Sequence, residues 1–141
     1  MNLKKQDVEI VRDIDSLAIM GFVEVVKNFN FLKKVLEETV EFILSNNIDR
    51  VVLVDYGGFN LKLLERLKLK KPSLKITYYI PPKVWIWGKK RVPKIAKADE
   101  ILVIFPWEVD FYKKENVKAL YFGNPFMEKY EKITKKGDKI L

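Results

Sequence analysis

The sequence predicts an α/β fold in which helices flank a parallel, Rossmann-like sheet. Two observations lead to this prediction. Short runs rich in β-branched residues alternate along the chain with segments whose apolar residues recur at helical spacing. Gly or Pro follows closely on the clearest of these runs and turns the chain there. Strands that alternate with helices form βαβ units, whose right-handed crossovers give a parallel sheet.

The first long element is a helix, and a buried strand follows it. Apolar residues over Leu32–Leu44 recur at helical spacing, with Asn28 or Asn30 as the expected cap. The pair Asn46-Asn47 is expected to end this helix. Arg50–Asp55 is a compact β-branched run, which is typical of a strand buried in a parallel sheet.

The rest of the chain repeats this alternation. Tyr56-Gly57-Gly58 is expected to turn the chain before a helix over Leu61–Leu67. Pro81-Pro82 ends the next strand, because proline has no N–H to donate to a ladder. A helix over Gly88–Ala98 tolerates Pro93 only near its first turn. The predicted strands, with a helix over Trp107–Asn116 before the last, are Val8–Val11, Arg50–Asp55, Lys75–Ile80, Glu100–Phe105 and Val117–Phe122.

Size and charge predict one domain with an anionic partner. The chain has 141 residues, of which 48% are hydrophobic and 33% charged, enough for one globular domain with a core. We expect residues 1–125 to form that domain and the lysine-rich residues 126–141 to form a basic tail. The net charge of +8 favours a phosphorylated metabolite, an acidic membrane surface or nucleic acid as partner.

Two residue types are absent, and this restricts the chemistry. Without cysteine there is no thiolate nucleophile or cysteine-bound zinc, and without histidine the commonest general base is missing. Acid–base chemistry then rests on carboxylates, lysines or tyrosines, and we predict no metal and no cofactor. The longest apolar stretch is the seven residues of Ile101–Trp107, and no apolar signal core follows Met1–Lys5, so we expect a cytoplasmic protein.

A basic stretch with tryptophans occupies the middle of the chain. Residues 62–97 contain twelve Lys or Arg and only one acid, Glu65, and Trp85 and Trp87 lie beside Lys89-Lys90-Arg91. This pattern is typical of an anchor at the level of lipid headgroups. It equally suits a groove in which bases stack on the rings and lysines follow phosphates. The third interpretation is a solvated face with the tryptophans packed on the sheet.

Four segments carry a resemblance to a known family. They are Leu17–Val25 (LAIMGFVEV), Val54–Asn60 (VDYGGFN), Tyr79–Ile95 (YIPPKVWIWGKKRVPKI), and Phe105–Glu108 (FPWE) with Phe111-Tyr112. In this order and at this spacing they resemble the lipid-A-disaccharide synthase family. The later Gly123-Asn124-Pro125 resembles a Gly-His-Pro found in many members. Together these segments cover about Val8 to Pro125, which is most of the chain.

The resemblance implies a reaction and a fold. Members of the family transfer diacylglucosamine from its UDP derivative to diacylglucosamine 1-phosphate, release UDP, and so serve lipid A biosynthesis. They are inverting glycosyltransferases (hexosyltransferases) with two Rossmann-like domains in a GT-B arrangement, at the cytoplasmic face of the inner membrane. The resemblance therefore implies that this chain is an incomplete N-terminal half of a GT-B fold, peripheral at the inner membrane and inactive alone.

The resemblance also implies a catalytic residue. Asp55 matches the family's general base, and proton removal by such a group typically contributes about 10²–10⁴-fold. From spacing alone, Asp55 is a polar residue that ends a strand and caps a turn. Tyr56-Gly57-Gly58 stands where members have Ala-Pro-Asp, and Asn124 where they have His. The predicted substrate-binding residues are Gly57, Gly58, Asn60, Trp85, Trp87, Lys90, Arg91, Glu108 and Asn124.

The apolar stripe over residues 17–32 has two interpretations. Such a stripe usually belongs to a core. In the family, however, the matching region contacts the bilayer and the acyl chains, and basic neighbours here (Lys27, Lys33 and Lys34) fit a surface that lies in the membrane interface. The candidate membrane and acyl-chain residues are Ile19, Met20, Phe22, Val23, Val26, Phe29 and Leu32.

The family has further parts on both sides of the matched region. A first strand and glycine loop come before it, and a domain with most of the UDP contacts comes after it, so a second chain that supplies this domain is a possible partner. Arg50–Asp55 is then expected to be an exposed apolar edge that favours self-association. Two alternatives from the residues alone are a non-catalytic module for anionic lipid or membrane, and a nucleic-acid-binding domain, which is the least supported because no recognised RNA-binding signature is present.

Overall fold

The computed structural model describes residues 9–11, 29–86 and 88–127. Residues Met1–Thr39 and Val40–Leu141 form two compact units. Residues 9–11 lie in no strand, so the predicted strand Val8–Val11 is wrong over its described part, while Val8 lies outside the described residues. The described residues of this run pair with none of the described strands, and a strand needs such a neighbour for its backbone hydrogen bonds.

Among the described residues, helix α1 (Phe29–Ser45) precedes the sheet. It ends where the Asn46 side chain donates to a backbone carbonyl one turn earlier (2.8 Å) and Asn47 takes a left-handed conformation with φ of 52°. This end is as predicted. Asn30 lies inside the helix and is not its cap, and Asn28 lies outside the described residues. The helical spacing is reflected in the buried residues Val35, Leu36, Val40 and Ile43.

Four strands form one parallel sheet in the order β1-β2-β3-β4. The predicted α/β fold with a parallel sheet is therefore confirmed. The last strand is shorter than the predicted Val117–Phe122, because only two of its residues pair with β3. Residues 128–141 lie outside the described part, so the division into 1–125 and 126–141 stays a prediction. The strands are β1 (Arg50–Val54), β2 (Lys75–Tyr79), β3 (Glu100–Val103) and β4 (Leu120–Tyr121).

The two faces of the sheet differ in burial. Leu53, Tyr78 and Ile101 form a row across three neighbouring strands, and all three are buried. Val52 and Val54 point to the opposite face, because side chains alternate along a strand, and they are 57% and 52% exposed. Right-handed crossovers between successive neighbours place every connection on the same face of a sheet. The buried row therefore marks the face that the connecting helices cover.

Those connections contain three helices: α2 (Gly57–Lys70), α3 (Val92–Ile95) and α4 (Pro106–Lys114). The predicted turn at Tyr56-Gly57-Gly58 is displaced, because α2 begins directly at Gly57 and the bend falls on Asp55 and Tyr56. The predicted helix over Gly88–Ala98 is in fact a 3₁₀ turn (Lys89–Arg91) followed by α3. Pro93 is the second residue of α3, where its missing N–H has no intrahelical partner.

An ion cluster holds the edge at which β2 and β3 begin. The Asp99 carboxylate accepts hydrogen bonds from the Ile76 backbone N–H (2.8 Å) and from Lys68 Nζ (2.7 Å), and Lys75 Nζ lies 3.5 Å away. Burial alone would raise the pKa of Asp99, but these donors and the two lysine charges bring it below its ordinary value. This carboxylate connects α2 to the start of β2 and β3. It lies at the edge of the sheet opposite the one where Asp55 follows β1.

Candidate active site

Asp55 lies immediately after β1, at the carboxyl edge of the sheet. Its side chain is exposed, and its backbone N–H donates to the carbonyl of Tyr79, the last residue of β2 (3.0 Å). Asp55 and Tyr56 are both left-handed, with φ of 47° and 41°. Residues other than glycine rarely take this conformation, and it persists only where the surroundings hold it. The backbone thus makes a sharp bend at the residue predicted to be catalytic.

Three neighbours fix this bend. The Asn60 side-chain nitrogen donates to the carbonyls of Val54 (3.0 Å) and Asp55 (2.8 Å), and the Tyr78 hydroxyl donates to the Asp55 carbonyl (3.1 Å). Gly57 lies against Pro82, and a Cβ on it would come within 2.4 Å of the proline ring. Glycine is needed at this position because any side chain would collide with the segment that follows β2.

The segment after β2 leaves the sheet through another unusual residue. Ile80 has φ of 56°, which is a genuine outlier for a β-branched side chain. Beyond Pro81, the chain buries Val84, half-buries Trp85 and exposes Ile86. This segment therefore covers part of the carboxyl edge and presents an apolar side chain to solvent there.

Trp85 is locked to the start of α4. Its indole N–H donates to Glu108 Oε1 (3.1 Å), and Glu108 Oε2 accepts the backbone N–H of Phe105 (3.1 Å), which is half of a capping box. Glu108 is only 4% exposed, so both of these bonds are shielded from water. The Trp85 ring also meets the edge of Trp107 at 4.6 Å between centroids, and Trp107 stacks on Phe105 at 5.9 Å. The result is a fixed group of three aromatic rings at the ends of β2 and β3.

Two buried tyrosines lie beneath this edge. Burial, and then the charge of Asp55, raises the pKa of Tyr78 well above its ordinary value. Burial, with Glu108 and Tyr78 as smaller contributors, raises the pKa of Tyr112 in the same way. Both hydroxyls therefore stay protonated at neutral pH, and neither is suited to be a general base.

The basic residues near Trp85 fall into two groups. Lys89 is paired, because its Nζ lies 3.0 Å from Glu115 and 5.8 Å from the centre of the Phe111 ring. Lys90 and Arg91 are exposed, and neither has an acidic partner among the described residues. These two side chains are thus accessible to an anionic ligand or surface.

The exit of β4 forms a cleft of about 120 Å³ beside the ends of β2 and β3. Asn124 lines it, and the Asn124 Oδ1 accepts the backbone N–H of Phe126 (2.9 Å), which fixes the turn. The smaller cleft, at the exit of β4, is lined by Tyr79, Leu102, Val103, Phe122, Gly123, Asn124 and Pro125.

A larger depression of about 390 Å³ lies between α4 and the residues that lead into β4, and it is not part of the carboxyl edge.

The structure brings the predicted site residues into two groups. Asp55, Gly57 and Asn60 lie together at the bend after β1, and Trp85 and Glu108 are bonded to each other. Gly58 faces open space, and Leu32 is half-buried on α1. The predicted residues outside the described part are Ile19, Met20, Phe22, Val23, Val26 and Trp87, together with the side chain of Phe29.

Two residues of the candidate site were not among the site residues predicted from the sequence. Tyr78 was assigned only to a strand, and its hydroxyl reaches Asp55 because of the sheet register, which no local pattern reveals. Trp107, which is 45% exposed at the start of α4, lies in the Phe105–Glu108 segment of the resemblance but was not among the predicted substrate-binding residues. In the described part of the chain, no cluster of Asp or Glu is placed to hold a metal ion.

The sheet and its carboxyl edge define the class of protein: a Rossmann-like α/β domain with an exposed carboxylate and aromatic rings at the strand ends. A family profile described as lipid-A-disaccharide synthetase matches residues 1–140. The chain belongs to this family. The resemblance predicted from the sequence is confirmed, and the family that it names is one of glycosyltransferases.

Curated relatives agree with this assignment. The lipid-A-disaccharide synthase of Persephonella marina is 35% identical over 89% of this chain and 34% of its own length. That of Geobacter metallireducens is 35% identical over 91% of this chain and 33% of its own length. That of Colwellia psychrerythraea is 37% identical, with 91% and 32% covered. This chain therefore spans about one third of the length of the curated relatives that it matches.

Proposed function

We propose that this chain carries the acceptor-side part of a lipid A disaccharide synthase. The reaction transfers diacylglucosamine from its UDP derivative to diacylglucosamine 1-phosphate. The observation that carries the proposal is Asp55, an exposed carboxylate on a fixed bend at the carboxyl edge of the sheet. Ligands of open α/β sheets bind at that edge.

Asp55 is proposed as the general base. Its carboxylate takes the proton of the acceptor hydroxyl, the hydroxyl oxygen bonds to the anomeric carbon of the donor sugar, and the bond from that carbon to UDP breaks. With histidine absent and both buried tyrosines held protonated, a carboxylate is the natural proton acceptor here. Lys90 and Arg91, which have no acidic partner among the described residues, are proposed to contact phosphate groups of the substrates.

Three further parts of the function belong to this proposal. Substrate contacts from Gly57, Gly58, Asn60, Trp85, Trp87, Glu108 and Asn124 remain predictions. A second chain or segment is proposed to supply the UDP-binding half. Peripheral attachment at the cytoplasmic face of the inner membrane is proposed on the family resemblance, and the candidate contact residues 19–29 lie outside the described side chains. Within the described part, no helix is long and apolar enough to cross a bilayer.

The test of Asp55 is a chimera in which this chain replaces the matching third of the Persephonella marina relative. We expect disaccharide formation with Asp55, and a loss of about 10²–10⁴-fold in kcat for Asp55→Asn, because the proton acceptor is removed. Asp110→Asn is the matched control, since Asp110 is exposed on α4 and away from the bend. A chimera that makes no disaccharide, or an equal effect of the two variants, would contradict the proposal.

A second candidate function is a non-catalytic module for anionic lipid surfaces. The observation that favours it is the exposure of Ile86 and Trp107 (48% and 45%), together with the exposure of the basic Lys90 and Arg91 a few residues after Ile86 in the chain. A competition between detergent-dispersed diacylglucosamine 1-phosphate and an oligonucleotide separates the candidates. Saturable lipid binding that survives salt and weakens in Asp55→Ala supports the transferase site. Lipid binding that is insensitive to Asp55→Ala supports the module, and preference for the oligonucleotide, lost steeply with salt, supports nucleic acid.

A further inference from the structure

The bend after β1 stores backbone strain directly beside the proposed base. Asp55 and Tyr56 are successive left-handed residues, and neither is glycine. The two glycines that follow lie inside α2 and do not relieve the bend. Such a conformation is unfavourable for an L-residue and needs bonds that are made only in that geometry.

Asn60 makes these bonds. One side-chain amide donates to two successive carbonyls, the last of β1 (Val54, 3.0 Å) and the first of the bend (Asp55, 2.8 Å). In a regular extended strand, successive carbonyls point to opposite sides, so a single donor cannot reach both. The left-handed turn at Asp55 brings them to the same side, and the amide binds the backbone in that state.

The burial of Asn60 strengthens its hydrogen bonds to the two carbonyls. It is 8% exposed, so water competes poorly for the two carbonyls. The Tyr78 hydroxyl donates to the Asp55 carbonyl from β2 (3.1 Å), but it touches only one of the two groups. Among the described residues, Asn60 is therefore the only one whose side chain donates to both carbonyls, that of Val54 and that of Asp55.

We propose that Asn60 is a positioning residue, which holds Asp55 in its left-handed conformation and so directs the carboxylate towards the substrate. What that carboxylate does rests on the proposed function, but the conformational claim stands by itself. Asn60 then acts through Asp55. Its side-chain nitrogen is already bonded within the chain, which distinguishes this role from a direct contact with substrate.

The conformation is tested on this chain by NMR, from the backbone chemical shifts and the HN–Hα couplings of Asp55 and Tyr56. Asn60→Leu removes the donor and keeps the approximate volume. We expect the signals of both residues to leave the left-handed range or to broaden through exchange. Thr77→Val is the matched control, because it also removes a part-buried side-chain hydrogen bond from the sheet (Thr77 Oγ1 to Glu100, 2.7 Å), but one that is not made to the bend.

Left-handed signals that persist in Asn60→Leu would overturn the proposal, as would an equal change in Thr77→Val. If Asn60→Leu does not fold, Asn60→Asp decides, because it keeps the shape of the side chain and has no N–H at neutral pH. Unchanged Asp55 and Tyr56 signals in that variant would also overturn the proposal.

The catalytic consequence is measured in the chimera. Asn60→Leu is expected to lower kcat about 10²-fold, the scale of a misplaced reacting group, with KM within about twofold. Thr77→Val is expected to keep both parameters. A kcat for Asn60→Leu equal to that of Thr77→Val would overturn the positioning role. If Asp55→Asn keeps full activity while the NMR result is as expected, the proposed function fails but the role of Asn60 in the bend remains.

Discussion

Gly57 lies against Pro82, and this contact leaves no room for a side chain. Gly57→Ala would place a Cβ 2.4 Å from the ring, so the loop after β2 must shift. We expect a loss of about 1–3 kcal/mol in the free energy of unfolding, measured by urea denaturation. Gly58→Ala is the control, because nothing lies within 4 Å of its Cβ position. There, alanine in place of a helical glycine is expected to stabilise by about 0.5–1 kcal/mol. Equal destabilisation of the two variants would contradict the contact.

At the scale of single residues, the sequence predicted where Asp55 lies in the fold but not the geometry of its backbone. Asp55 was placed at a strand end because the β-branched run before it stops there. Its left-handed backbone was not predictable, since it depends on Asn60 and on a tyrosine from the neighbouring strand. Asn60 was predicted to contact substrate. That remains a prediction, while its bonds to the Asp55 and Val54 carbonyls are a feature that only the fold reveals.

At the scale of elements, the ion cluster at Asp99 makes the stability of the fold depend on pH in the acidic range. The pKa of Asp99 is below its ordinary value of 3.8 when folded, so its contribution is present above that value and is lost as pH falls through the folded pKa. We expect stability to decline below about pH 4 and expect Asp99→Asn to be less stable at neutral pH with a shallower acid loss. The measurement is the midpoint of thermal unfolding as a function of pH. The matched control is Asp110→Asn, because this exposed carboxylate on α4 belongs to no ion cluster among the described residues. Acid profiles that are parallel for wild type and Asp99→Asn would argue against the cluster.

Element boundaries show where local patterns fail. Helix α2 begins at Gly57 because the Tyr56 carbonyl accepts the N–H groups of both Phe59 and Asn60, although a glycine pair usually indicates a turn. The segment before α3 forms a 3₁₀ turn because Gly88 enters it with φ of 111°. The existence and order of the strands and helices after α1 were predictable from periodicity, whereas their ends depended on tertiary hydrogen bonds.

At the scale of the whole molecule, the outer edge of β1 is the part of the described chain that most favours self-association. No strand within residues 9–11, 29–86 and 88–127 pairs with that edge, and Val52 and Val54 are exposed beside it. We expect concentration-dependent self-association, and expect Val54→Lys to weaken it, because a charge on an edge strand opposes pairing. The measurement is sedimentation velocity over a range of concentrations. Leu69→Lys is the control, since Leu69 is 78% exposed on α2 and away from the edge. A chain that stays monomeric throughout, or equal effects of both variants, would contradict this expectation.

The order of the strands in the sheet has a consequence for biosynthesis. Each strand from β2 onwards pairs with the strand that immediately precedes it in the chain. During translation, the partner of every new strand has therefore already left the ribosome, and no pairing among β1 to β4 waits for a segment still to be made. The sheet can grow by one strand at a time at a single advancing edge, with each crossover helix made between the two strands that it connects.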